Sequence, residues 1–433
     1  MAQYSKQKVD YLNDGRSIFE VVMIADQFGT LVGPSNPSGM AVDAFGRARS
    51  SSPVTLFDSF HRYRDNQKFA TSNTAGANVE YSANTSTVLM NVGTSINQEV
   101  IRESTLVFAY QPGKSLQIIN TFVMGEAKTG LRQRVGYFGV GNGVYLERGG
   151  EEIAVVLRSS SNNSIVDTRV VQSSWNIDKL DGDGVSKKTL DLEKANIFFI
   201  DVEWLGVGTV RCGFVIDGQL IHCHSFHHAG VKDDAYMTTA VLPVRYEIKN
   251  TAGTASASTL KQICSSVISE GGYSLTGKPR SFGVEPVQAS QIALGTAGTY
   301  YPALSFRLNP VYPDSIVIPV DFSIFPINSG VYRYKVVKGG TLTGAVWANT
   351  SANSIVQYNS NNSATFSGGE DLLSGYFAST NQSGGGASLK DGLFKFQLER
   401  DSLANTFTPL TLLVTAANAT CNVVASMDWE EVT

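Results

Sequence analysis

Long apolar runs are missing from this chain. No stretch approaches the roughly 20 apolar residues of a membrane-spanning helix, so no membrane partner is expected. The first 17 residues, MAQYSKQKVDYLNDGRS, are polar. The apolar segment after them, IFEVVMIA, is short and carries Glu20, so no signal peptide is expected and synthesis in a cytoplasm follows. Charge is scarce as well: 17% of residues are Asp, Glu, Lys or Arg, below the usual ~25%. With 34 basic and 38 acidic residues the net charge is -4, and no dense Lys/Arg run occurs, which argues against a nucleic-acid partner. Arg47, Arg49, Arg62, Arg64 and His61 are spread through an apolar, Ser-rich segment rather than gathered into a phosphate site. Cysteine is rare. Cys212, Cys223, Cys264 and Cys421 form neither the CxxC pairs of a structural zinc site nor a disulfide framework.

What is present is 42% hydrophobic residues, 41 glycines and recurrent Asn/Ser/Thr stretches. That mixture favours strands and turns, and the expected class is all-β: an antiparallel β-sandwich of jelly-roll type followed by a second β domain. Residues 1–70 have little periodicity and contain GPSNPSG at 33–39, so they read as an extended N-terminal arm. Residues 71–250 carry short alternating or apolar runs at about ten-residue spacing, among them STVLMNV, ESTLVFAYQ (103–111), SLQIINTFVM, RQRVGYFGVG, EIAVVLRS and NIFFIDVEWLG, and read as the sandwich. Residues 251–284 read as a linker. Within it STLKQICSSVIS (258–269) has apolar residues at 260, 263, 264 and 267, a spacing that fits one short helix or a twisted strand. Residues 285–433, with SIVIPVDFSIF, GVYRYKVVK, LFKFQLER and TPLTLLVTA, read as the C-terminal β domain. Its Asn/Ser/Gly-rich connections over 350–388 suit an exposed surface.

The densest chemical signal is IHCHSFHHAG, which holds His222, His224, His227, His228 and Cys223. Asp217-Gly218 just upstream is a strong hairpin turn. A regular two-residue turn places Cys212 opposite Cys223 on the core face, as two reduced thiols. It places His222 and His224 together on the other face, with His224 opposite Arg211. A cation there opposes a metal, and no third ligand lies nearby. No metal and no cofactor are therefore expected, with His222 and His224 as the only candidate ligands considered. FFIDVEWLG brings a second question. One jelly-roll glycosidase family carries E-x-D-x-E on a strand; Asp201 and Glu203 match its last two positions, but Phe199 stands at the nucleophile position. No catalytic residue is assigned, and an enzyme is not expected. KLDGDGVSKKTLDLE departs from a calcium loop at Val185, Ser186 and Leu192 and reads as a turn. Tyr137, Phe138, Tyr145 and Trp204 could stack on a sugar, though core packing is the simpler reading.

Five blocks together resemble virion structural proteins of tailed bacteriophages, of the marine cyanophage type: TLFDSFHRYRDN, AYQPGKSLQIINTFVMG, LRQRVGYFGVGNGVYLE, DVEWLGVGTVRCGFVIDGQLIHCHSFHHA and MTTAVLPVRYEIKNT. The resemblance covers about residues 50–290. The middle domain also looks like the concanavalin-type jelly roll of lectins and phage surface proteins. The resemblance implies a particle component without catalysis, a decoration or fibre-type surface protein made in the host cytoplasm and anchored by its N-terminal arm. Other virion proteins of capsid, neck or tail would be its partners, and it would assemble as a homo-oligomer, a trimer being one option. The alternative is a glycan-binding adhesin that recognises the host surface.

Overall fold

The computed structural model describes residues 52–161, 164–274, 276–379, 397–418 and 421–432 in full, and the backbone alone at 24–25, 31–32 and 385–388. In the N-terminal unit, residues 1–52, Ile24–Ala25 pairs antiparallel with Leu31–Val32. Of the arm expected over residues 1–70, the rest of residues 1–51 lies outside the described residues.

The second unit, residues 53–433, holds two β domains. The first is a jelly-roll sandwich of fifteen strands: β1 Val54–Phe60, β2 Phe69–Asn73, β3 Asn78–Ser82, β4 Thr87–Val92, β5 Glu99–Ser104, β6 Leu116–Val123, β7 Leu131–Phe138, β8 Gly143–Gly149, β9 Glu152–Ser159, β10 Val166–Val171, β11 Asn196–Val202, β12 Val210–Ile216, β13 Gln219–Phe226, β14 Val244–Asn250 and β15 Ser258–Ser269. One sheet runs β10-β9-β8-β7-β14-β5-β2 and the other β13-β12-β11-β6-β15-β4-β3, with β1 also paired to β15. Alternation builds the core between them. In β6 the residues Leu116, Ile118, Asn120 and Phe122 point inward while Gln117, Ile119, Thr121 and Val123 are half-buried on the other face. Asn120 is buried there with its Oδ1 accepting the Tyr246 hydroxyl at 3.3 Å, while its Nδ2 has no hydrogen-bond partner among the described residues.

Three expectations change here. Residues 54–73 belong to the sandwich as β1 and β2 rather than to an arm. Residues 258–269, placed in a linker as a short helix or a twisted strand, form the strand: it is the twelve-residue β15 in the interior of a sheet. A bulge between Gln262 and Cys264 resets the alternation, and that irregularity produced the helix-like spacing. Finally, ESTLVFAYQ is a strand only to Ser104. Val107 and Ala109 are apolar because they pack against Ile316 and Ile318 of the second domain.

That second domain also has two large sheets, besides two small antiparallel pairs, Thr341–Thr343 with Thr365–Ser367 and Arg400–Asp401 with Thr406–Phe407. The strands of the large sheets are β16 Lys278–Gly283, β17 Ile292–Leu294, β18 Tyr301–Leu308, β19 Ile316–Pro326, β20 Gly330–Lys338, β21 Ala348–Asn349, β22 Val356–Asn359, β23 Glu370–Ser379, β24 Gly385–Ser388, β25 Leu410–Ala416 and β26 Cys421–Val432. One sheet runs β16-β26-β19-β24, with β17 on β26, and the other β21-β22-β18-β25-β20-β23. The domain thus starts at β16, ahead of residue 285. The first half of LFKFQLER, residues 393–396, lies outside the described residues.

The two domains are fastened through β5. Arg400 donates its backbone N–H to Thr105 O at 3.1 Å and its Nη1 to Glu103 Oε1 at 3.0 Å. Gln397 Nε2 donates to Val107 O at 3.1 Å. Beside these bonds Leu56, Phe108, Ala109, Tyr273, Ile316 and Ile318 leave a void of only about 10 Å³, too little to need filling by more than one water.

Candidate functional site

The site forms where β11 ends. Phe198, Ile200 and Val202 enter the core, so Ile197, Phe199 and Asp201 take the opposite face of the sheet. Asp201 sits opposite Arg211 of β12 and forms an ion pair with its Nη2. Phe199 sits opposite Gly213, where a Cβ would come within 2.7 Å of the Phe199 ring. Glycine is therefore required for Phe199 to lie flat across the sheet. His222 then packs on Phe199 with ring centroids 5.1 Å apart.

Beyond Asp201 opens a cleft of about 570 Å³, lined by Tyr110, Lys114, Ser115, Asp201, Glu203, Leu205, Thr209, Arg211 and His227. Its size falls in the range of small-ligand sites, roughly 300–1,000 Å³. Each lining group is held. Glu203 Oε2 accepts the Thr209 N–H at 3.1 Å, Ser115 donates to Glu270 Oε2 at 2.9 Å, and Tyr110 accepts the Leu205 N–H at 3.3 Å while packing edge-on to Trp204. Burial pushes the Tyr110 phenol up, so it remains an O–H donor. Asp201 is 6% exposed, and its Oδ1 is shielded and has no hydrogen-bond partner. The cleft thus presents carboxylates, one guanidinium, one ammonium, hydroxyls and an aromatic edge, a set matched to a polyhydroxylated ligand.

The histidines do not act together. The hairpin keeps the expected register from Ile216↔Gln219 to Gly213↔His222, and then a bulge intervenes: Cys212 pairs with His224, and Arg211 with Ser225. Cys212 and Cys223 are both buried free thiols, but they are not opposite one another. His222 and His224 no longer share a face. His224 Nδ1 accepts the Asn176 N–H at 3.3 Å and its ring meets Phe226 edge-on. His228 stacks on Tyr236 at 4.0 Å, and only His227 reaches the cleft, 3.3 Å from Thr209 Oγ1. Burial lowers His222, His224 and His228, which keeps these rings neutral. Among the described residues no three His, Cys, Asp or Glu side chains gather as metal ligands.

Of the residues weighed from the sequence, Asp201 and Glu203 meet in the cleft, with Arg211 and His227. Tyr137, Phe138 and Tyr145 are fully buried and unavailable to a sugar. Asp181 caps the backbone N–H groups of Asp183 and Gly184 within its own turn. Lys114, Ser115 and Tyr110 were missed. They sit in and beside PGKS, a turn whose closeness to β11 depends on β6 pairing with β11 across some eighty residues of chain.

No protein-family model matches the chain, and no curated protein matches it. Solved structures similar to it cover about half of its length. The CBM2 module of an evolved Dit from Lactobacillus casei BL23 phage J-1 is 7% identical, with a TM-score of 0.36, over 52% of this chain and 100% of that one. Bacillus licheniformis β-glucanase is 10% identical, with a TM-score of 0.33, over 49% of this chain and 96% of that one. A lectin from Bauhinia forficata in complex with GalNAc is 14% identical, with a TM-score of 0.30, over 50% and 98%. These similarities assign no ligand; the cleft is read from its own residues.

Proposed function

We propose that the chain is a non-catalytic surface component of a tailed-phage virion that holds a saccharide in the cleft around Asp201. The observation that carries the binding reading is Asp201 itself, buried, paired on one oxygen by Arg211 and unsatisfied on the other, in a cleft otherwise lined by polar groups. Sugar hydroxyls both donate and accept, and so match the carboxylate, guanidinium, ammonium and hydroxyl groups that line this cleft. Glycoside cleavage by a retaining route requires a nucleophilic carboxylate about 5–5.5 Å from an acid. Here Phe199 stands at the nucleophile position, Asp201 is bound to Arg211, and Glu203 is bound to Thr209. The particle assignment draws on the resemblance of residues 50–290, and capsid, neck or tail proteins and further copies of the chain are its proposed partners. Host-surface recognition is the role that a glycan-holding cleft would serve.

A glycan array probed with the full chain and with Asp201→Asn tests the binding. Loss of a charged acceptor is expected to weaken retention about tenfold or more. Equal retention of every glycan by both proteins overturns the cleft assignment. Gold-labelled antibody against residues 350–379 tests the particle assignment: label on intact virions is expected, and virions without any copy of the chain overturn it.

A further inference from the structure

The outward face of the six-stranded sheet carries a row of aromatic and polar side chains. Tyr332 and Val336 of β20 face the core of the second domain, so Arg333 and Lys335 face away from it. Arg333 stands opposite Thr415 of β25 on one side and Tyr376 of β23 on the other. Tyr300, one residue before β18, continues the same row, because Tyr301 pairs with Val414. One line across four strands thus reads Tyr300, Thr415, Arg333, Tyr376. The Arg333 guanidinium lies 5.1 Å from the Tyr376 ring centroid, and Lys335 Nζ lies 5.0 Å from that of Tyr300.

Three polar atoms on this line are shielded from solvent and have no hydrogen-bond partner: Arg333 Nε, Thr415 Oγ1 and Tyr300 OH. Thr415 is only 7% exposed. Such groups are normally satisfied, and three in one row, all able to donate, leave this part of the face without an acceptor of its own. Lys335 is neutralised by Asp371 at 2.6 Å, whereas Arg333 makes no ion pair among the described residues. The row therefore offers one unpaired positive charge, too little for a nucleic-acid backbone and enough for one oxyanion. Beside it Tyr376 is 71% exposed, a free aromatic face of the kind on which a sugar ring stacks.

We propose that this row binds an anionic saccharide, its ring on the exposed Tyr376 and its carboxylate or sulfate on the Arg333 guanidinium beside it. The site lies in the other domain from the cleft and stands or falls apart from it. Calorimetric titration of the full chain with oligogalacturonate, its methyl ester and a sulfated galactan oligomer tests it. The free acid or the sulfate ester is expected to bind, and which of them binds better identifies the oxyanion. Methyl esterification is expected to weaken binding about tenfold or more, and Arg333→Ala to do the same, since charge-assisted hydrogen bonds are lost. Arg333→Lys keeps the charge without the fork and should recover part of the loss. Arg307→Ala, on the same sheet face but hydrogen-bonded to Gln357, should leave binding unchanged, and so should Asp201→Asn. Failure of both anionic oligomers to bind at millimolar concentration, equal binding of acid and methyl ester, or an unaffected Arg333→Ala protein overturns the proposal.

Discussion

On the outward face of the seven-stranded sheet of the sandwich, arginines meet carboxylates; on that of the six-stranded sheet in the second domain, they meet aromatic rings. The first face is a ladder. Arg169 and Arg134 bind Glu147 at 2.9 and 2.8 Å, Arg132 binds Glu247 at 2.8 Å, and Arg245 binds Glu103 at 3.0 Å. Arg400 of the second domain then takes the other oxygen of Glu103 and reaches on to Asp314. Burial alone would raise Glu247, but Arg245, Arg134 and Arg132 override it and hold the carboxyl below the usual range. On the second face Arg307 lies over Trp347 at 4.3 Å and Arg333 over Tyr376, neither with a carboxylate among the described residues. The difference separates two uses of one residue type. Where guanidiniums are consumed by carboxylates the face fastens the molecule together; where they are left with ring faces it remains open to a ligand.

The largest expected break in this contrast is Glu103→Ala. Glu103 is 2% exposed, and its loss leaves two largely buried arginines with one carboxylate each, Arg400 with Asp314 and Arg245 with Glu247 at 3.6 Å. Removing one partner of such a network costs about 3–5 kcal/mol. Scanning calorimetry should show a lowered transition and looser coupling of the two domains. A loss under about 1 kcal/mol would mean that the ladder is decorative.

Acid should separate the domains next. All five histidines lie in the sandwich and none in the second domain. Burial lowers His61 from 6.5 to about 4, against the opposing pull of Asp65. A histidine with a depressed folded value binds protons more readily when unfolded. Its contribution is therefore whole above pH 6.5 and is lost as the pH falls toward 4. Asp65 and Glu247, held low by their arginines, extend the loss to lower pH. Melting followed from pH 7 to 4 should show the sandwich failing first, with His61→Gln flattening the upper part of the curve. Earlier failure of the second domain contradicts this.

The smallest effect should come from Arg333→Ala, whose stacking on an exposed ring is worth about 1 kcal/mol at most. The same arginine that governs anion binding should be nearly silent in melting, the inverse of the ladder.

Much of the fold was legible because alternation survives in most strands: LQIINTFV announces β6 with no help from its neighbours. Irregular strands were not. The bulge beside Ile263 imitated a helix, and the bulge at Cys223 turned His224 to the other side of the hairpin; neither leaves a local signal as strong as the Asp217-Gly218 turn. Asp201 and Glu203 could be found because one short segment carries both, Asp201 in β11 and Glu203 just past its end. The ladder was legible in principle, since Arg132 and Arg134, or Arg245 and Glu247, repeat at the two-residue period of one strand face. The row of Tyr300, Arg333, Tyr376 and Thr415 was not, because four strands far apart in sequence build it and only the pairing order aligns them.

The most direct test of the account takes the saccharide that the array selects, titrates it into the full chain by calorimetry, and analyses the recovered sugar by mass spectrometry after a day. Stoichiometric binding, an oligosaccharide returned intact, and weaker binding by Asp201→Asn are predicted. Shortened products that disappear with Asp201→Asn or Glu203→Gln would contradict it, and would make the cleft an active site.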